Sequence, residues 1–169
     1  MSVEEHRHYS PHHLGFAVLT VSDSRSPASD TGGATVRELA TAAGHRVVAT
    51  DLVRDEIPAI RQAVDAMLRA EGVDVVVLTG GTGFSPRDVT VPAVVPLFEP
   101  PIEGFGEIFR MLSYEQIGAA AMLSRAAAGL IDGRAVFLLP GSPGAVALAM
   151  AKLILPEAGH LLGQARRKS

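Results

Sequence analysis

Two neighbouring features of this chain have residue types that can bind a ligand: a glycine-rich segment and a carboxylate that follows it. The segment Gly80-Gly81-Thr82-Gly83 follows an apolar run, and Asp88 comes shortly after it. Glycine allows backbone conformations that other residues avoid, so the amides of such a loop can point together at an anion. The segment therefore predicts a phosphate-binding loop, with a tight strand-to-helix turn that binds nothing as the alternative.

Asp55 and Asp88 are the acidic candidates for holding a metal ion. Magnesium prefers oxygen ligands and is often bound by one or two carboxylates together with substrate phosphates. A magnesium ion here would neutralise a triphosphate and the charge that develops when a phosphate bond breaks. The alternatives are structural, since Asp55 is also suited to cap a helix and Asp88 to bond its own backbone in a loop. Asp30 has a capping or turn alternative of the same kind.

The segment Pro140-Gly141-Ser142-Pro143 is a second candidate loop. Its two prolines indicate a rigid turn, in which Ser142 either donates a hydrogen bond to a ligand or holds the turn. Glu107 and Arg110 have i,i+3 spacing on a predicted helix, where an ion pair between them is the plainer interpretation.

Two familiar nucleotide-binding motifs are missing. No lysine completes a P-loop after Gly83, and Phe84-Ser85-Pro86 stands where a dinucleotide fingerprint needs its third glycine. Phosphate binding by this chain would have to use another arrangement.

Apolar runs and helical patterns alternate along the chain. The strands are predicted at 16–21, 46–53, 73–79 and 135–139, and the helices at 34–43, 57–72, 92–98, 107–129 with a break near Gly118, and 145–162 with a kink at Pro156. Residues 99–106 are predicted as a surface loop, and Met111 and Met122 as core residues. The pattern predicts a three-layer α/β/α fold with a mostly parallel sheet.

The carboxyl ends of parallel strands lie at one edge of a sheet, and ligands bind outside that edge. We therefore expect four segments to meet there: Ser22-Asp23, Asp55-Glu56, Gly80–Gly83 and Pro140–Pro143. This convergence is the strongest physical indication of a ligand site.

Length and composition fit one compact α/β domain at 15–165, preceded by a tail at 1–14. The 169 residues are 47% hydrophobic, and the net charge of -3 argues against a general nucleic-acid binder. The absence of cysteine excludes disulfides, thiolate metal sites and cysteine nucleophiles. We see no apolar run long enough to span a membrane and no signal peptide, and we expect a cytoplasmic protein.

Four histidines lie in the predicted tail: His6, His8, His12 and His13. A metal site is one interpretation, and a loosely ordered terminus is the other.

Taken in order, six motifs resemble the MoaB/MogA family of molybdenum cofactor biosynthesis proteins. They are Ser22-Asp23-Ser24-Arg25, Thr79-Gly80-Gly81-Thr82-Gly83, Arg87-Asp88-Val89-Thr90, Gly104-Phe105-Gly106-Glu107, Leu123-Ser124-Arg125-Ala126 and Pro140-Gly141-Ser142-Pro143. The resemblance runs from about Phe16 to Leu155, and residues 107–117 are most similar to the MoaB branch.

The resemblance implies adenylylation of molybdopterin: ATP gives its AMP part to the terminal phosphate of the pterin, pyrophosphate leaves, and Mg²⁺ assists. By the same resemblance, Asp55 and Asp88 match the positions linked to magnesium and catalysis. It also implies a homo-oligomer, a trimer or hexamer, and a molybdenum insertion protein as a partner in a later step. The residues that it places at the substrates are Ser22, Asp23, Asp30, Thr79, Gly80, Gly81, Thr82, Gly83, Arg87, Thr90, Glu107, Ser124, Pro140, Gly141, Ser142 and Pro143.

The chain departs from the family pattern at one place. Many members have an acidic residue after the Thr-Pro that follows the Arg-Asp-Val-Thr motif, whereas here the run is Thr90-Val91-Pro92-Ala93. Some members of the MoaB branch lose the Arg-Asp-Val-Thr motif and look inactive, and its retention here favours an active enzyme. The alternatives are a non-catalytic molybdopterin-binding protein of the same pathway and a pyrophosphatase-type hydrolase.

Overall fold

A five-stranded sheet runs through the middle of residues 11–167, the part of the chain that the computed structural model describes. The strand order is β2-β1-β3-β5-β4, and only β4, which pairs with β5, runs antiparallel to its neighbour. The mostly parallel sheet is thereby confirmed. The strands are β1 (Gly15–Val21), β2 (Arg46–Val53), β3 (Val75–Thr79), β4 (Ala127–Ile131) and β5 (Arg134–Leu139).

Helices cover both faces of the sheet, which makes the fold three-layered as predicted. Helices α1, α4, α5 and α6 pack on one face, and α2 and α3 pack on the other. The helices are α1 (Thr31–Ala42), α2 (Ile57–Arg69), α3 (Thr90–Val94), α4 (Glu103–Ile117), α5 (Pro143–Ala149) and α6 (Leu155–Ala165). Short 3₁₀ turns follow α3 and α4, at Val95–Leu97 and Gly118–Leu123, and a π-helical stretch, Met150–Ile154, joins α5 to α6.

The central strands have apolar side chains on both faces because both faces are covered. Phe16 and Val18 pack towards α1, whereas Ala17 and Leu19 pack towards α2, and all four are fully buried. Such strands are continuous hydrophobic runs rather than alternating ones. This is why β1 and β3 were the clearest strands in the sequence.

The predicted helix at 107–129 is wrong in its last part. Helix α4 ends at Ile117, and Gly118, with φ +63°, provides the predicted break, but residues 127–131 form β4. Alanine and glycine dominate β4, so its residues carry little strand propensity and the pairing with β5 decides their conformation. Gly129 permits that position because a Cβ atom there would lie 2.6 Å from the Cβ atom of Phe98.

Two further element boundaries differ from the prediction. Helix α4 already begins at Glu103, inside the predicted surface loop at 99–106. Helix α1 begins at Thr31 rather than at residue 34, because the Asp30 carboxylate caps it by accepting the amide hydrogen of Gly33 at 2.9 Å.

The run Pro143–Ala165 corrects the expectation that no apolar segment is long enough to span a membrane. It is 23 residues long, and its most apolar window has a mean hydropathy of 1.4. Core helices of soluble proteins have the same length and composition. Val146, Met150, Ile154 and Leu162 are buried in the core on the α1 side of the sheet, which accounts for part of this apolar character, since 33% of the window is buried. A π-helical stretch, Met150–Ile154, lies just before Pro156, the position at which the sequence predicts a kink.

Met111 and Met122 are not core residues, contrary to expectation. Their side chains are 58% and 74% exposed. Ile108, Met111, Tyr114 and Ile117 are all exposed and recur at intervals of three along α4, so they form one row on the helix surface.

Asp74 ties together the amino ends of β1 and β3. Its Oδ2 atom accepts the backbone amide hydrogen of Gly15 at 2.8 Å, and its Oδ1 atom accepts a hydrogen bond from Arg166 at 2.7 Å. The C-terminal end of α6 is thereby fixed to the sheet edge opposite the carboxyl ends of the strands.

Candidate functional site

A polar cavity of about 260 Å³ opens at the carboxyl ends of β1, β2, β3 and β5. All four predicted segments contribute to its wall, so the expected convergence at one edge of the sheet is present. The lining residues are Thr20, Val21, Ser22, Asp23, Ser24, Arg25, Asp30, Asp55, Thr79, Gly80, Gly81, Asp88 and Gly141.

The loop after β1 forms one side of the cavity. The Ser22 hydroxyl oxygen accepts the amide hydrogens of Ser24 at 3.3 Å and Arg25 at 3.1 Å, and the Ser22 amide donates to the carbonyl of Val53 at 2.9 Å. Arg25 in turn donates to the hydroxyl of Thr31 at 2.7 Å. These bonds fix the loop between the ends of β1 and β2, and they orient Asp23 beside the cavity.

Asp55 is not a helix cap. The N-cap residue of α2 is Glu56, which makes no capping hydrogen bond through its side chain. The Asp55 amide donates to Oδ1 of Asp23 at 3.3 Å, while its own carboxylate faces the glycine loop, where a Cβ atom on Gly81 would lie 2.9 Å from Oδ1 of Asp55. The half-buried carboxylate is therefore available to a ligand.

The glycine loop has a backbone that glycine alone adopts without strain. Gly80 and Gly81 have φ angles of +93° and +66°. Thr90 closes the loop, since its hydroxyl donates to the carbonyl of Gly80 at 2.9 Å and its amide donates to the carbonyl of Gly81 at 3.0 Å. Thr90 is fully buried, and it holds the loop in place from beneath the cavity.

Asp88 lies beside Gly83, the last glycine of the same loop. A Cβ atom at Gly83 would lie 2.8 Å from Oδ2 of Asp88. That oxygen accepts the amide hydrogen of Ser85 at 2.9 Å, so Asp88 bonds the backbone of its own loop, as the structural alternative predicted. Asp88 and Asp55 both line the cavity, and each lies next to a glycine of the loop.

Arg87 does not line the cavity itself, but it joins the segment after the glycine loop to Asp23, which does. Its Nε atom donates to Oδ2 of Asp23 at 2.9 Å and its Nη2 atom donates to Oδ1 at 3.0 Å. This bidentate pair lowers the pKa of Asp23, mainly through the hydrogen bond from Arg87. A guanidinium at the rim of a carboxylate-lined cavity is suited to bind phosphate.

The pKa of Asp55 is raised, first by burial and then by the negative charges of Asp23 and Asp88. Four carboxylates line this cavity: Asp23 is paired with Arg87, Asp30 is paired with Arg37 at 3.5 Å, and Asp55 and Asp88 complete the set. A divalent cation bound between Asp55 and Asp88 would relieve that repulsion. Within residues 11–167 no three metal-binding side chains are grouped to hold an ion by themselves, so phosphate and water oxygens would complete the coordination.

Buried polar side chains support the floor of the cavity. Asp30 is 6% exposed, and its Oδ2 atom accepts the hydroxyl hydrogen of Thr20 at 2.9 Å. The Thr79 hydroxyl donates to the Thr20 oxygen at 3.4 Å. Asp30 is thus the cap of α1 and part of the cavity wall at the same time.

The segment Pro140–Pro143 contributes Gly141, which packs against Gly80: a Cβ atom on Gly141 would lie 3.5 Å from the Gly80 Cα atom. The Ser142 hydroxyl caps α5 by accepting the amide hydrogen of Ala145 at 3.3 Å, and Pro143 is at the first turn of the helix. Pro140 and Ser142 flank the cavity rather than line it.

Glu107 and Ser124 do not line the cavity. Glu107 is exposed on α4. Arg110, which the spacing predicted to pair with it, donates instead to the backbone carbonyls of Ser124 and Ala126, both at 3.4 Å. The Ser124 hydroxyl oxygen accepts the amide hydrogen of Ala126 at 3.3 Å, so its role in the structure is to shape the chain before β4.

Several residues at the site were not among the predicted site residues. Thr20, Ser24 and Arg25 line the cavity, and Arg125 contacts the glycine loop from outside it. Ser24, Arg25 and Arg125 stand inside motifs that carried the family resemblance, which is the signal that could have found them. Thr20 lies within an apolar strand, and its sequence context gives no such signal.

A larger cavity lies elsewhere and has a different character. It measures about 350 Å³, lies between α4 and α6, and is lined mainly by apolar side chains such as Phe105, Ile108 and Leu161. Because no glycine-loop residue and no Asp55 or Asp88 reaches it, a phosphorylated ligand fits the smaller polar cavity. His12 and His13 are exposed, and His6 and His8 lie outside the described residues.

Comparisons with known proteins agree on the kind of protein. Residues 17–160 match the family model described as a probable molybdopterin binding domain. The molybdenum cofactor biosynthesis protein B of Bacillus cereus is 48% identical over 169 residues, covering 99% of this chain and 100% of the relative. A crystal structure of a molybdenum cofactor biosynthesis protein B, also 48% identical, superposes with a TM-score of 0.90 and covers 94% of this chain and 99% of that one. The tungsten cofactor synthesizing protein MoaB from Pyrococcus furiosus, 37% identical, has a TM-score of 0.85, with 94% and 100% covered.

Proposed function

The chain belongs to the molybdopterin-binding family of molybdenum cofactor biosynthesis proteins, of the MoaB type, and on that premise we propose that it transfers AMP from ATP to molybdopterin. The terminal phosphate oxygen of molybdopterin attacks the α-phosphorus of ATP. The bond from that phosphorus to the bridging oxygen of the β-phosphate breaks, and pyrophosphate leaves. Atoms and charge balance without an oxidant or reductant.

One observation carries the proposal: the Asp55 and Asp88 carboxylates lie beside Gly81 and Gly83 of one loop, in a polar cavity formed by four strand ends. Phosphoryl-transfer sites position two anionic substrates and neutralise their charge, and they need little covalent chemistry from the protein. The chain has no cysteine, and no side-chain nucleophile is required, because the attacking group belongs to molybdopterin.

Each candidate residue has a defined task in this proposal. The amides of Gly80–Gly83 bind phosphate oxygens, and Arg87 exchanges its Asp23 partner for a phosphate. Asp55 and Asp88 would hold Mg²⁺, which supplies charge neutralisation at the transferred phosphate. Asp30, Thr79 and Thr90 keep the floor of the cavity in place.

The test is direct measurement of pyrophosphate released from ATP and Mg²⁺, with and without molybdopterin. We expect release only when both substrates and the metal are present, and loss of release on chelation. In Asp88→Asn we expect kcat to fall on the order of a hundredfold or more. Asp132→Asn is the matched control, because Asp132 is exposed in the turn between β4 and β5 and asparagine tolerates its positive φ.

Two results would contradict the adenylyltransferase. Molybdopterin binding without pyrophosphate release would identify a non-catalytic pterin-binding protein of the same pathway. Full turnover by a folded Asp88→Asn variant would remove Asp88 from the reaction.

A homo-oligomer, a trimer or hexamer, is part of the same proposal. The exposed row Ile108, Met111, Tyr114 and Ile117 on α4 continues towards the exposed side chains of Met122 and Leu123. Exposed apolar surface of this extent is typical of a protein–protein interface. We propose that copies of the chain cover it in solution.

The adenylylated product defines the next partner. Adenylylation activates the pterin phosphate and leaves the metal still to be inserted, so we propose that a molybdenum insertion protein takes the product. We propose the cytoplasm, where ATP is available, as the place of the reaction.

A further inference from the structure

Arg125 holds the glycine loop from the side facing away from the cavity. Its Nε atom donates to the carbonyl of Thr82 at 3.3 Å, and its Nη2 atom donates to the carbonyl of Asp88 at 2.9 Å and to the carbonyl of Gly83. One guanidinium therefore joins the end of the glycine loop, at Thr82 and Gly83, to Asp88, which follows the loop.

Thr90 fixes the start of the loop at Gly80 and Gly81, whereas the bonds within the following residues do not anchor them to the rest of the fold. The amide of Asp88 donates to the carbonyl of Ser85 at 2.9 Å, and the Ser85 amide donates to the Asp88 carboxylate at the same distance. These bonds are local and would move with the loop as a unit. The Arg87–Asp23 pair is exposed, and in the proposed function it is broken when Arg87 binds a phosphate.

The side chain of Arg125 is itself held in place. Its guanidinium lies 5.1 Å from the ring centroid of Phe84, within cation–π range, and Arg125 is half-buried while the Phe84 side chain is 67% exposed. The planar, always charged fork of arginine can span several carbonyls at once, which the compact ammonium of lysine cannot.

We propose that Arg125 is a positioning residue: it fixes the backbone of Asp88 and of Gly83, and so sets the distance between the Asp88 carboxylate and the phosphate-binding amides. The inference rests on the proposed function for its effect on turnover, although the tie between Arg125 and the loop does not. Arg125 does not line the cavity and acts through the backbone of the loop.

The test compares Arg125→Met and Arg125→Lys with Arg134→Met. Arg134 is a matched control, because it is half-buried, donates to the backbone carbonyl of Asp132 at 3.0 Å, and lies at the start of β5, the sheet edge opposite the site. Amide hydrogen exchange reports the loop directly, and steady-state pyrophosphate release reports turnover.

We expect faster exchange confined to residues 82–90 in both Arg125 variants. We also expect kcat to fall by on the order of tenfold to a hundredfold, because small displacements of positioned groups are costly, while KM for ATP stays within about threefold. Arg134→Met should change neither readout. Arg125→Lys keeps the charge without the planar guanidinium and should restore little of the wild-type exchange protection or kcat. It also keeps the test decisive if Arg125→Met does not fold.

Wild-type exchange of residues 82–90 in both Arg125 variants would overturn the inference, as would equally accelerated exchange throughout the chain. A rise in KM with unchanged kcat, or full rescue by lysine, would overturn it too. If the wild-type protein releases no pyrophosphate, the proposed function fails, while the exchange experiment still decides whether Arg125 fixes the loop.

Discussion

The guanidinium of Arg87 donates two hydrogen bonds, at 2.9 and 3.0 Å, to the carboxylate of Asp23, which lines the polar cavity. The two residues are far apart in sequence and belong to the loops after β3 and β1. The pair is exposed and adds little to stability, as is usual for such ion pairs. Its importance is that it stations a cation where a phosphate would enter.

The Arg87–Asp23 pair can be tested by titration. In Arg87→Met we expect the pKa of Asp23 to rise towards its ordinary value, because the hydrogen bond from Arg87 is the main cause that lowers it. The pH dependence of the Asp23 carboxyl carbon chemical shift measures this pKa. Arg69→Met removes an exposed arginine from its partner Asp65 and serves as the control. An unchanged Asp23 titration in Arg87→Met would contradict the assignment.

The charged carboxylate of Asp55 should lower the stability of the folded protein at neutral pH. Its pKa is raised in the folded protein above the unfolded value, so the folded state binds a proton more readily, and stability rises as pH falls through the folded pKa. At neutral pH the charged carboxylate is a cost. We expect Asp55→Asn to melt at a higher temperature than the wild type at pH 7, with the difference shrinking in acid, while AMP transfer is lost.

Thermal melts of the wild type, Asp55→Asn and Asp132→Asn over a range of pH measure this effect. Asp132→Asn removes the same charge from an exposed turn and should show no comparable gain. A lower melting temperature for Asp55→Asn at pH 7 would show that Asp55 stabilises the fold instead.

Gly81→Ala should damage both stability and activity. The left-handed backbone at φ +66° alone costs a residue with a Cβ atom about 1 to 2 kcal/mol. The new methyl group would also lie 2.9 Å from Oδ1 of Asp55 and would press on the Thr90 side chain. We expect a lower free energy of unfolding in urea and no detectable pyrophosphate release.

Gly104→Ala is the control for that substitution. Gly104 is in the first turn of α4, and a Cβ atom there meets nothing within 4 Å. Alanine is the better helix former, so we expect a gain of about 0.5 to 1 kcal/mol in unfolding free energy. Equal losses for both variants would mean that the loop geometry is not what Gly81 provides.

Charge on the exposed row of α4 should break the proposed oligomer. Met111 is 58% exposed there, and a glutamate buried in an interface has no partner to offset its desolvation. Light scattering after size exclusion should give a multiple of the 17.7 kDa chain for the wild type and a single chain for Met111→Glu. Gln62→Glu, on exposed surface of α2 across the sheet, adds the same charge and should leave the mass unchanged.

The fold was predictable where periodicity and burial agree. The apolar strands β1, β3 and β5 follow from the sequence, because parallel strands covered on both faces are apolar throughout. β2 was also predicted, although it is an edge strand with no buried residue. β4 was missed because alanine and glycine carry no strand signal of their own. The Asp132-Gly133 dipeptide, with φ angles of +48° and +71°, is a hairpin signal that marks it.

The site was predictable as a set of loops but not in its internal contacts. Spacing and strand order brought Asp55, Asp88 and the glycines to one edge. The bidentate Arg87–Asp23 pair and the hold of Arg125 on the loop join residues distant in sequence, and no local pattern encodes which carbonyl or carboxylate such an arginine finds. Glu107 shows the reverse: its motif is intact, yet its side chain is exposed away from the cavity.

The clamp formed by Asp74, Gly15 and Arg166 has a consequence for how this protein can change. It anchors the last helix to the amino ends of the strands, a full strand length from the loops that would meet substrate. This stabilising clamp and the candidate functional site therefore lie at opposite edges of one sheet. We expect that substitutions that stabilise the edge at the amino ends of the strands can accumulate without changing turnover. The loops at the carboxyl ends of the strands then remain free to adapt to a different substrate.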